Sequence, residues 1–112
     1  MDYCAFGKSV LVFKTTDETI FDTVQKLIDQ YLGYYDFDCE IKEDTITVYA
    51  WGNEKYSKFY NTRLTRKLKE IESLADGSEL DFRDYHDKLW RFVYENGAWK
   101  EQSGEIVYHD IG

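Results

Sequence analysis

The chain has 112 residues, of which 43% are hydrophobic and 18% aromatic, and its formal net charge is -8 at pH 7. This apolar content excludes a disordered acidic chain, and the length predicts a single domain, residues 1–112, with a core of its own. The negative charge argues against direct nucleic-acid binding, because displacing counterions from phosphates requires clustered Lys and Arg.

The start of the chain predicts a cytoplasmic protein. Met1-Asp2 leads almost directly into structure, with no basic and then apolar leader, and no apolar run is long enough to cross a bilayer. We therefore expect no membrane partner, and we expect Cys4 and Cys39 to be free thiols. Cys39 is in phase with Phe37 and Ile41, which predicts a small core residue.

The first elements are a strand and a helix. Residues 6–14 form a short apolar run, which is typical of a central strand. Apolar residues then recur at steps of three and four, which predicts a helix capped by Thr15 or Thr16 and ended by Gly33. Its apolar stripe is Ile20, Phe21, Val24, Leu27, Ile28, Tyr31 and Leu32.

Residues 34–51 form the most regular stretch of the sequence. Apolar and polar residues alternate in two runs that are separated at Glu43-Asp44, which predicts a β-hairpin. Because strand side chains alternate between faces, the first strand carries a row of three carboxylates, from Asp36, Asp38 and Glu40, on one face.

The next segment predicts a basic helix. Asn53 is suited to cap a helix that runs to about Asp76, and Gly77 is suited to end it. Residues 53–77 hold six Lys or Arg and four Asp or Glu, so 6 - 4 gives +2 and leaves -10 for the rest of the chain. The plainest interpretation is a solvated face with pairs at four-residue spacing, such as Arg66 with Glu70.

The C-terminal part predicts further strands. Leu80 and Phe82 alternate with Asp81 and Arg83, and the runs Leu89 to Tyr94 and Ala98 to Lys100 lie on either side of Asn96-Gly97. Ser103-Gly104 then predicts a turn into a last strand from Glu105 to Tyr108. Asn96-Gly97 is a strong hairpin signal, because both residues tolerate positive φ. A two-residue loop there places four aromatic residues on one face: Trp90, Phe92, Tyr94 and Trp99.

The element order, β-α-β-β-α-β-β-β, indicates an α+β fold. It matches a ferredoxin-like β-α-β-β-α-β core with an added C-terminal antiparallel β-hairpin. In that arrangement both helices cover one face of the sheet and the second strand lies at an edge. The added strands either extend the sheet or fold over its open face.

The sequence favours a protein that is not an enzyme and has no cofactor. Tyr49 and Trp51 on an open sheet face are similar to base-stacking aromatics, but the neighbouring strand offers carboxylates where cations are needed. The acidic row has the spacing to bind a divalent cation, yet the only histidines are His86, within Asp84-Tyr85-His86-Asp87, and His109. No nucleophile elbow or phosphate-binding Gly-rich loop is present.

Two interpretations of the acidic row remain. It protects an edge strand from aggregation, or it imitates a line of phosphates for a basic protein surface, such as that of a nucleic-acid-binding protein. For the second interpretation the predicted partner-binding residues are Asp36, Asp38, Glu40, Glu43 and Asp44 as charges, with Tyr49 and Trp51 as aromatic anchors.

The short length, acidic charge, abundance of Asp, Glu and Tyr, and lack of catalytic motifs resemble the small acidic inhibitor proteins of phages and mobile elements, of the anti-CRISPR or anti-restriction type. This resemblance is one of composition over the whole chain, so it implies inhibition by protein binding and transfers no site residue. Two alternatives stay open: a small-ligand or divalent-metal-dependent protein with a pocket near the C-terminal aromatic hairpin, and a homodimer joined through exposed sheet faces.

Overall fold

The computed structural model describes residues 3–6, 9–32, 36–51, 55–57, 59–84 and 88–105. These ranges form eight strands and two helices. The strands are β1 Tyr3–Phe6, β2 Ser9–Phe13, β3 Asp36–Lys42, β4 Thr45–Trp51, β5 Lys55–Ser57, β6 Glu79–Asp84, β7 Lys88–Glu95 and β8 Ala98–Glu105. The helices are α1 Thr19–Leu32 and α2 Phe59–Lys69. No helix in these ranges is long and apolar enough to cross a membrane.

The strands form one sheet with antiparallel pairing throughout the described ranges. Its order is β3-β4-β2-β6-β1-β5, with β7 beside β6 and β8 beside β7. β6 therefore pairs with both β1 and β2, and β7 and β8 extend the sheet, which answers the question that the sequence left open. The predicted α+β class is confirmed.

The strand order differs from the predicted one. The prediction treats residues 6–14 as one strand and assigns residues 55–57 to a helix, whereas the structure has β1 and β2 as separate strands and makes residues 55–57 strand β5. β1 pairs with β5 and β6. These are long-range pairings between short strands, which the local apolar pattern does not encode.

The core lies on one face of the sheet, beneath both helices. Val24 and Ile28 from α1 and Leu64 and Leu68 from α2 are fully buried in the same cluster as the inward residues of the strands. Those inward residues are Leu11, Phe13, Ile46, Val48, Ala50, Leu80, Phe82, Trp90 and Tyr94. The opposite face of the sheet carries no helix from the described ranges, so side chains on it reach solvent.

Helix α1 begins at a different cap from the predicted one. Asp17, and not Thr15 or Thr16, accepts hydrogen bonds at Oδ1 from the Thr19 N–H at 3.0 Å and from the Thr19 hydroxyl at 2.6 Å. These bonds lower the pKa of Asp17 below its ordinary value of 3.8. Asp17 is the better cap because its carboxylate also lies at the positive end of the helix. The predicted stop, Gly33, lies outside the described residues.

Helix α2 is shorter at both ends than predicted, and its predicted cap, Asn53, lies outside the described residues. The chain leaves the helix after Lys69 and passes through turns, and Leu74 there forms a bridge with Phe13 of β2. Gly77 has a φ of 94°, but it belongs to the turn before β6 and does not end the helix. Residues 70–78 thus pack against β2, which a local helical pattern cannot reveal.

The C-terminal hairpin has the predicted turn and the predicted aromatic face. Asn96 and Gly97 have φ values of 51° and 78°, as the two-residue turn requires. Tyr94 lies opposite Trp99, and their ring centroids are 5.1 Å apart. The predicted turn at Ser103-Gly104 is wrong, because β8 continues through it to Glu105 while paired with β7. The predicted last strand beyond Glu105 lies outside the described residues.

Two buried serines connect β2 to the β6 region. These strands share a single pair of facing residues, Val10 and Glu79. On either side of that pair a serine hydroxyl oxygen takes the place of a backbone carbonyl as the hydrogen-bond acceptor. The Asp81 N–H donates to Ser9 Oγ at 3.2 Å, and the Val12 N–H donates to Ser78 Oγ at 2.9 Å. The serines thus supply acceptors to part-buried backbone donors where the two strands diverge.

Candidate functional site: an acidic hairpin face at the sheet edge

The hairpin of β3 and β4 brings the predicted binding residues together. Residues 36–42 pair in register with residues 51–45 around a two-residue turn at Glu43 and Asp44. In β3 the side chains of Asp36, Asp38 and Glu40 are exposed, while those between them pack against the core. The row of outward carboxylates is therefore present as the sequence predicts.

The two aromatic residues lie on the same face as the acids. Directly opposite residues in an antiparallel pair share a face, and Trp51 lies opposite Asp36 while Tyr49 lies opposite Asp38. Trp51 keeps 41% of its surface exposed, whereas Tyr49 is half-buried. We call the set of Asp36, Asp38, Glu40, Tyr49 and Trp51 the acidic hairpin face. Glu43 and Asp44 are exposed beside it at the turn.

Glu40 is already paired. Its Oε1 lies 3.0 Å from Lys42 Nζ, and its Oε2 accepts a hydrogen bond from the Tyr49 hydroxyl at 3.2 Å. The Lys42 contact, followed by the Tyr49 hydrogen bond, lowers the pKa of Glu40, and the same contact raises the pKa of Lys42. The hydrogen bond to Glu40 also raises the pKa of Tyr49. The alternation in the sequence places Lys42 on the same face as Glu40, but it does not show that the two side chains pair.

The other two carboxylates differ in their surroundings. Asp38 Oδ1 accepts a hydrogen bond from the Cys39 N–H at 2.8 Å. Asp36 has no ion pair or hydrogen bond to another side chain in the described part of the chain. The basic helix α2 packs on the other face of the sheet, so its exposed cations lie across the sheet from these acids.

β3 forms an edge of the sheet, because it pairs only with β4 among the described strands. Lys42 and Thr45 flank the two-residue turn and therefore form a hydrogen-bonded pair, after which bonded and non-bonded pairs alternate. The N–H and C=O groups of Phe37, Cys39 and Ile41 consequently point to the free edge. The Cys39 hydrogen bond to Asp38 agrees with this assignment.

The outward face continues beyond the hairpin. One row of facing residues crosses six strands, in the order Asp38, Tyr49, Val10, Glu79, Val93 and Lys100. The part of this row beyond β4 does not follow from the local sequence pattern. Val10 and Val12 of β2 are half-buried, because no layer of the described ranges covers this face.

An ion pair lies farther along this face. Arg91 Nε is 2.6 Å from Asp81 Oδ1 and 3.8 Å from Glu79 Oε2, and Arg91 Nη2 donates to Asp81 Oδ2 at 3.2 Å. These carboxylates raise the pKa of Arg91, with Asp81 making the larger contribution. Asp81 and Glu79 of β6 thus share one cation, whereas Asp36 at the start of β3 has no ion-pair partner among the described residues.

The described residues offer no support for metal binding or a reactive thiol. No group of three or more His, Cys, Asp and Glu in the described ranges could hold a metal ion. His86 and its neighbours Tyr85 and Asp87 lie outside those ranges, as does His109. Cys39 is a free thiol that packs against the core, and burial, with smaller effects from Asp38 and Glu18, raises its pKa above 9.0.

The fold and this surface define an α+β protein with an exposed acidic face at one edge of its sheet. Comparisons with protein-family models, with curated proteins and with solved structures give no match to the chain. Its function is therefore argued from the geometry and charge of the surface.

Proposed function

We propose that this chain is a cytoplasmic, non-enzymatic binding protein that occupies a basic surface of a nucleic-acid-handling protein. The observation that carries the proposal is the outward row of carboxylates on β3 with the exposed Trp51 beside it. The compositional resemblance to small acidic phage and mobile-element inhibitors favours inhibition as the outcome.

The spacing of the row supports this proposal. Alternate residues of a strand are about 7 Å apart, so the three carboxylates form a regular line of negative charge on a firm backbone. A basic groove that binds phosphates meets a similar line in its normal ligand. Charge of this kind speeds association and aligns partners, while a large aromatic side chain such as Trp51 supplies apolar contact area.

If the carboxylates of β3 serve only to protect the edge strand from aggregation, a different result is expected. Charged residues on an edge strand prevent strands of other molecules from pairing with it. If that were their whole role, neutralising them would increase self-association and change no specific binding. Binding experiments with charge variants therefore separate the two interpretations.

The test uses two triple variants with matched changes. Asp36→Asn/Asp38→Asn/Glu40→Gln removes the row, and Asp22→Asn/Asp29→Asn/Glu72→Gln removes the same charge from exposed positions outside the sheet. Partners are captured from cell lysate at low and high salt and then challenged with double-stranded DNA as a competitor. We expect the β3 variant to lose the captured protein and the control to retain it. Double-stranded DNA should displace the captured protein from the control. Equal capture by both variants would refute the proposal.

We propose in addition that β3, β4, β2 and β6 with both helices form a ferredoxin-like core, to which β1, β5 and the C-terminal hairpin are added. Their antiparallel order β3-β4-β2-β6 and the position of α1 and α2 on one face support this. An experimental structure that placed a helix on the acidic face, or that changed this order, would refute it.

One observation favours a second candidate function, a ligand site at the C-terminal aromatic hairpin. The Trp99 indole N–H is buried and has no hydrogen-bond partner among the described residues. Because a buried donor without an acceptor is unfavourable, a ligand oxygen there would stabilise the fold. Titration with divalent ions and small carboxylates, followed by tryptophan fluorescence and melting temperature, tests this candidate; an unchanged spectrum and melting temperature would remove it.

The third candidate is a homodimer through the exposed sheet faces. The half-buried Val10, Val12 and Val93 on the outward face of the sheet would supply the apolar contact between the two copies. Light scattering decides this directly, because a dimer has twice the mass of the 13.4 kDa chain.

A further inference from the structure

We propose that the free edge of β3 receives an extended basic segment of the partner as an additional antiparallel strand. This inference rests on the proposed function and specifies its partner: a segment with Lys or Arg at alternate positions and apolar residues between them. Strand addition uses backbone hydrogen bonds for affinity and alternate side chains for selectivity.

The backbone of β3 is suited to this role. It is a seven-residue strand, and the N–H and C=O groups of Phe37, Cys39 and Ile41 point to its free edge. In an antiparallel pair, residues facing these three would each exchange two hydrogen bonds with them. An added strand would therefore form up to about six backbone hydrogen bonds along the length of β3.

The side chains of β3 determine which segment fits. On the outward face Asp36 and Asp38 would each lie opposite a cation of the added strand, and opposite charges in such pairs are favourable. On the other face Ile41 keeps 52% of its surface exposed, although its strand neighbours Phe37 and Cys39 pack against the core. Apolar residues of the added strand would cover Ile41, so alternating basic and apolar residues match both faces.

Asp38 makes the edge selective. Its carboxylate accepts a hydrogen bond from the Cys39 N–H at 2.8 Å and so occupies one donor on the free edge. A cation on the incoming strand attracts this carboxylate to the outward face and releases the donor, whereas a neutral or acidic strand does not. A basic segment is therefore accepted and others are disfavoured.

A second copy of the chain fits this edge less well. Antiparallel self-pairing centred on Cys39 places Asp38 opposite Glu40 twice, and like charges directly opposite are destabilising. Asp36 would then face Lys42, but that lysine is already 3.0 Å from Glu40. The acidic edge thus discourages self-pairing and favours a basic partner strand.

The probe for the experiment is a synthetic seven-residue peptide of alternating Lys and Val, blocked at both ends. Binding is measured by calorimetry, and amide hydrogen exchange is followed by NMR. We expect the amides of Phe37, Cys39 and Ile41 to gain protection when the peptide binds. Two further peptides carry N-methyl groups on the Val amides, which face β3 in antiparallel pairing, or on the Lys amides, which face away. The first should lose binding by about tenfold or more, and the second should keep it within about twofold.

Two protein variants give an independent test. Ile41→Pro removes a backbone N–H donor from the free edge, and the side chain of Ile41 is not part of the core. Ile41→Thr retains the donor but also loses the apolar contact of Ile41, so the difference between the two variants isolates the backbone donor. We expect Ile41→Pro to weaken peptide binding by about tenfold more than Ile41→Thr does, and equal weakening by the two variants would overturn strand addition. Melting curves show whether both variants fold. If Ile41→Pro does not fold, the N-methylated peptides still test strand addition on the unmodified protein.

The outcomes distinguish this inference from the proposed function. Absence of binding by the unmodified peptide, or equal binding of all three peptides, would overturn strand addition while leaving the charge-variant experiment to judge the acidic face. A doubled mass of the free chain that Ile41→Pro abolishes would identify a second copy as the occupant and overturn the choice of a basic segment. Failure of the proposed function appears instead as unchanged partner capture by the β3 triple variant.

Discussion

Replacement of Ser78 by alanine tests the account of how β2 is joined to the rest of the sheet. Ser78 is fully buried, at 0% exposure. Its Oγ accepts a hydrogen bond from the Val12 N–H at 2.9 Å and donates one to the Ala75 carbonyl at 2.8 Å. Ser78→Ala removes one oxygen atom, so packing changes little and the loss of these two bonds dominates.

The magnitude follows from the two groups left behind. A buried donor or acceptor without a partner costs about 1–3 kcal/mol. With Val12 half-buried and Ala75 buried, we expect the free energy of unfolding to fall by about 3 kcal/mol, which corresponds to roughly 12 °C in melting temperature for a domain of this size. Ser9→Ala, which removes a single and longer bond of 3.2 Å to the Asp81 N–H, should cost about 1 kcal/mol.

The assay is urea unfolding followed by tryptophan fluorescence, with circular dichroism as a second probe of two-state behaviour. Ser73→Ala is the control, because the Ser73 hydroxyl makes no hydrogen bond within the described residues while its backbone carbonyl still accepts from the Lys14 N–H at 2.8 Å. The control should stay within about 0.5 kcal/mol of the unmodified protein. A similarly small effect of Ser78→Ala would refute the reasoning.

Three further predictions concern the turn, the helix cap and the thiol. Gly97→Ala should lower the free energy of unfolding by about 1 kcal/mol, because φ is 78° there and an added Cβ meets no atom within 4 Å, so the cost is one of backbone conformation alone; no loss would contradict the turn geometry. The pKa of Asp17 is lowered in the folded state, so its contribution to stability is complete above pH 3.8 and is lost as the pH falls through the folded pKa. Melting curves at acidic pH should therefore show the unmodified protein losing stability relative to Asp17→Asn. Parallel pH dependence of the two proteins would argue against the cap. Cys39, with its raised pKa, should react with iodoacetamide at neutral pH more slowly than glutathione does, as measured by peptide-resolved mass spectrometry, and faster reaction would contradict its packing against the core.

The parts of the fold that could be predicted are those that local pattern encodes. The alternation on either side of Glu43-Asp44 defines β3, β4 and their register, and the Asn96-Gly97 turn fixes the pairing of Tyr94 with Trp99. In each case a turn of known length brings neighbouring strands together, so which residues share a face follows from counting.

The remaining parts depend on contacts between distant segments. Residues 55–57 and 70–74 continue a helical apolar pattern, yet the first segment pairs with β1 and the second packs against β2. Pairing with a distant strand, or packing against one, outweighs a local propensity of a few tenths of a kcal/mol per residue. For the same reason β8 continues through Ser103-Gly104, where the ladder with β7 outweighs the local turn signal.

The candidate site could be predicted in its composition but not in its charge balance. Alternation places Asp36, Asp38 and Glu40 on one face, and that placement is observed. It does not show that Lys42 and Tyr49 already hold Glu40, because long side chains choose among several neighbours at similar cost. Among the described residues, the carboxylates of this site without an ion pair are those of Asp36 and Asp38 on β3 and those of Glu43 and Asp44 at the turn.

The most direct test of the central claim is the salt dependence of partner binding by the two triple variants. The captured partner is purified and its affinity for each variant is measured over a range of salt concentrations. The account predicts that Asp36→Asn/Asp38→Asn/Glu40→Gln weakens binding and flattens its dependence on salt, whereas Asp22→Asn/Asp29→Asn/Glu72→Gln leaves both unchanged. Equal affinities and equal salt dependence for the two variants would contradict it.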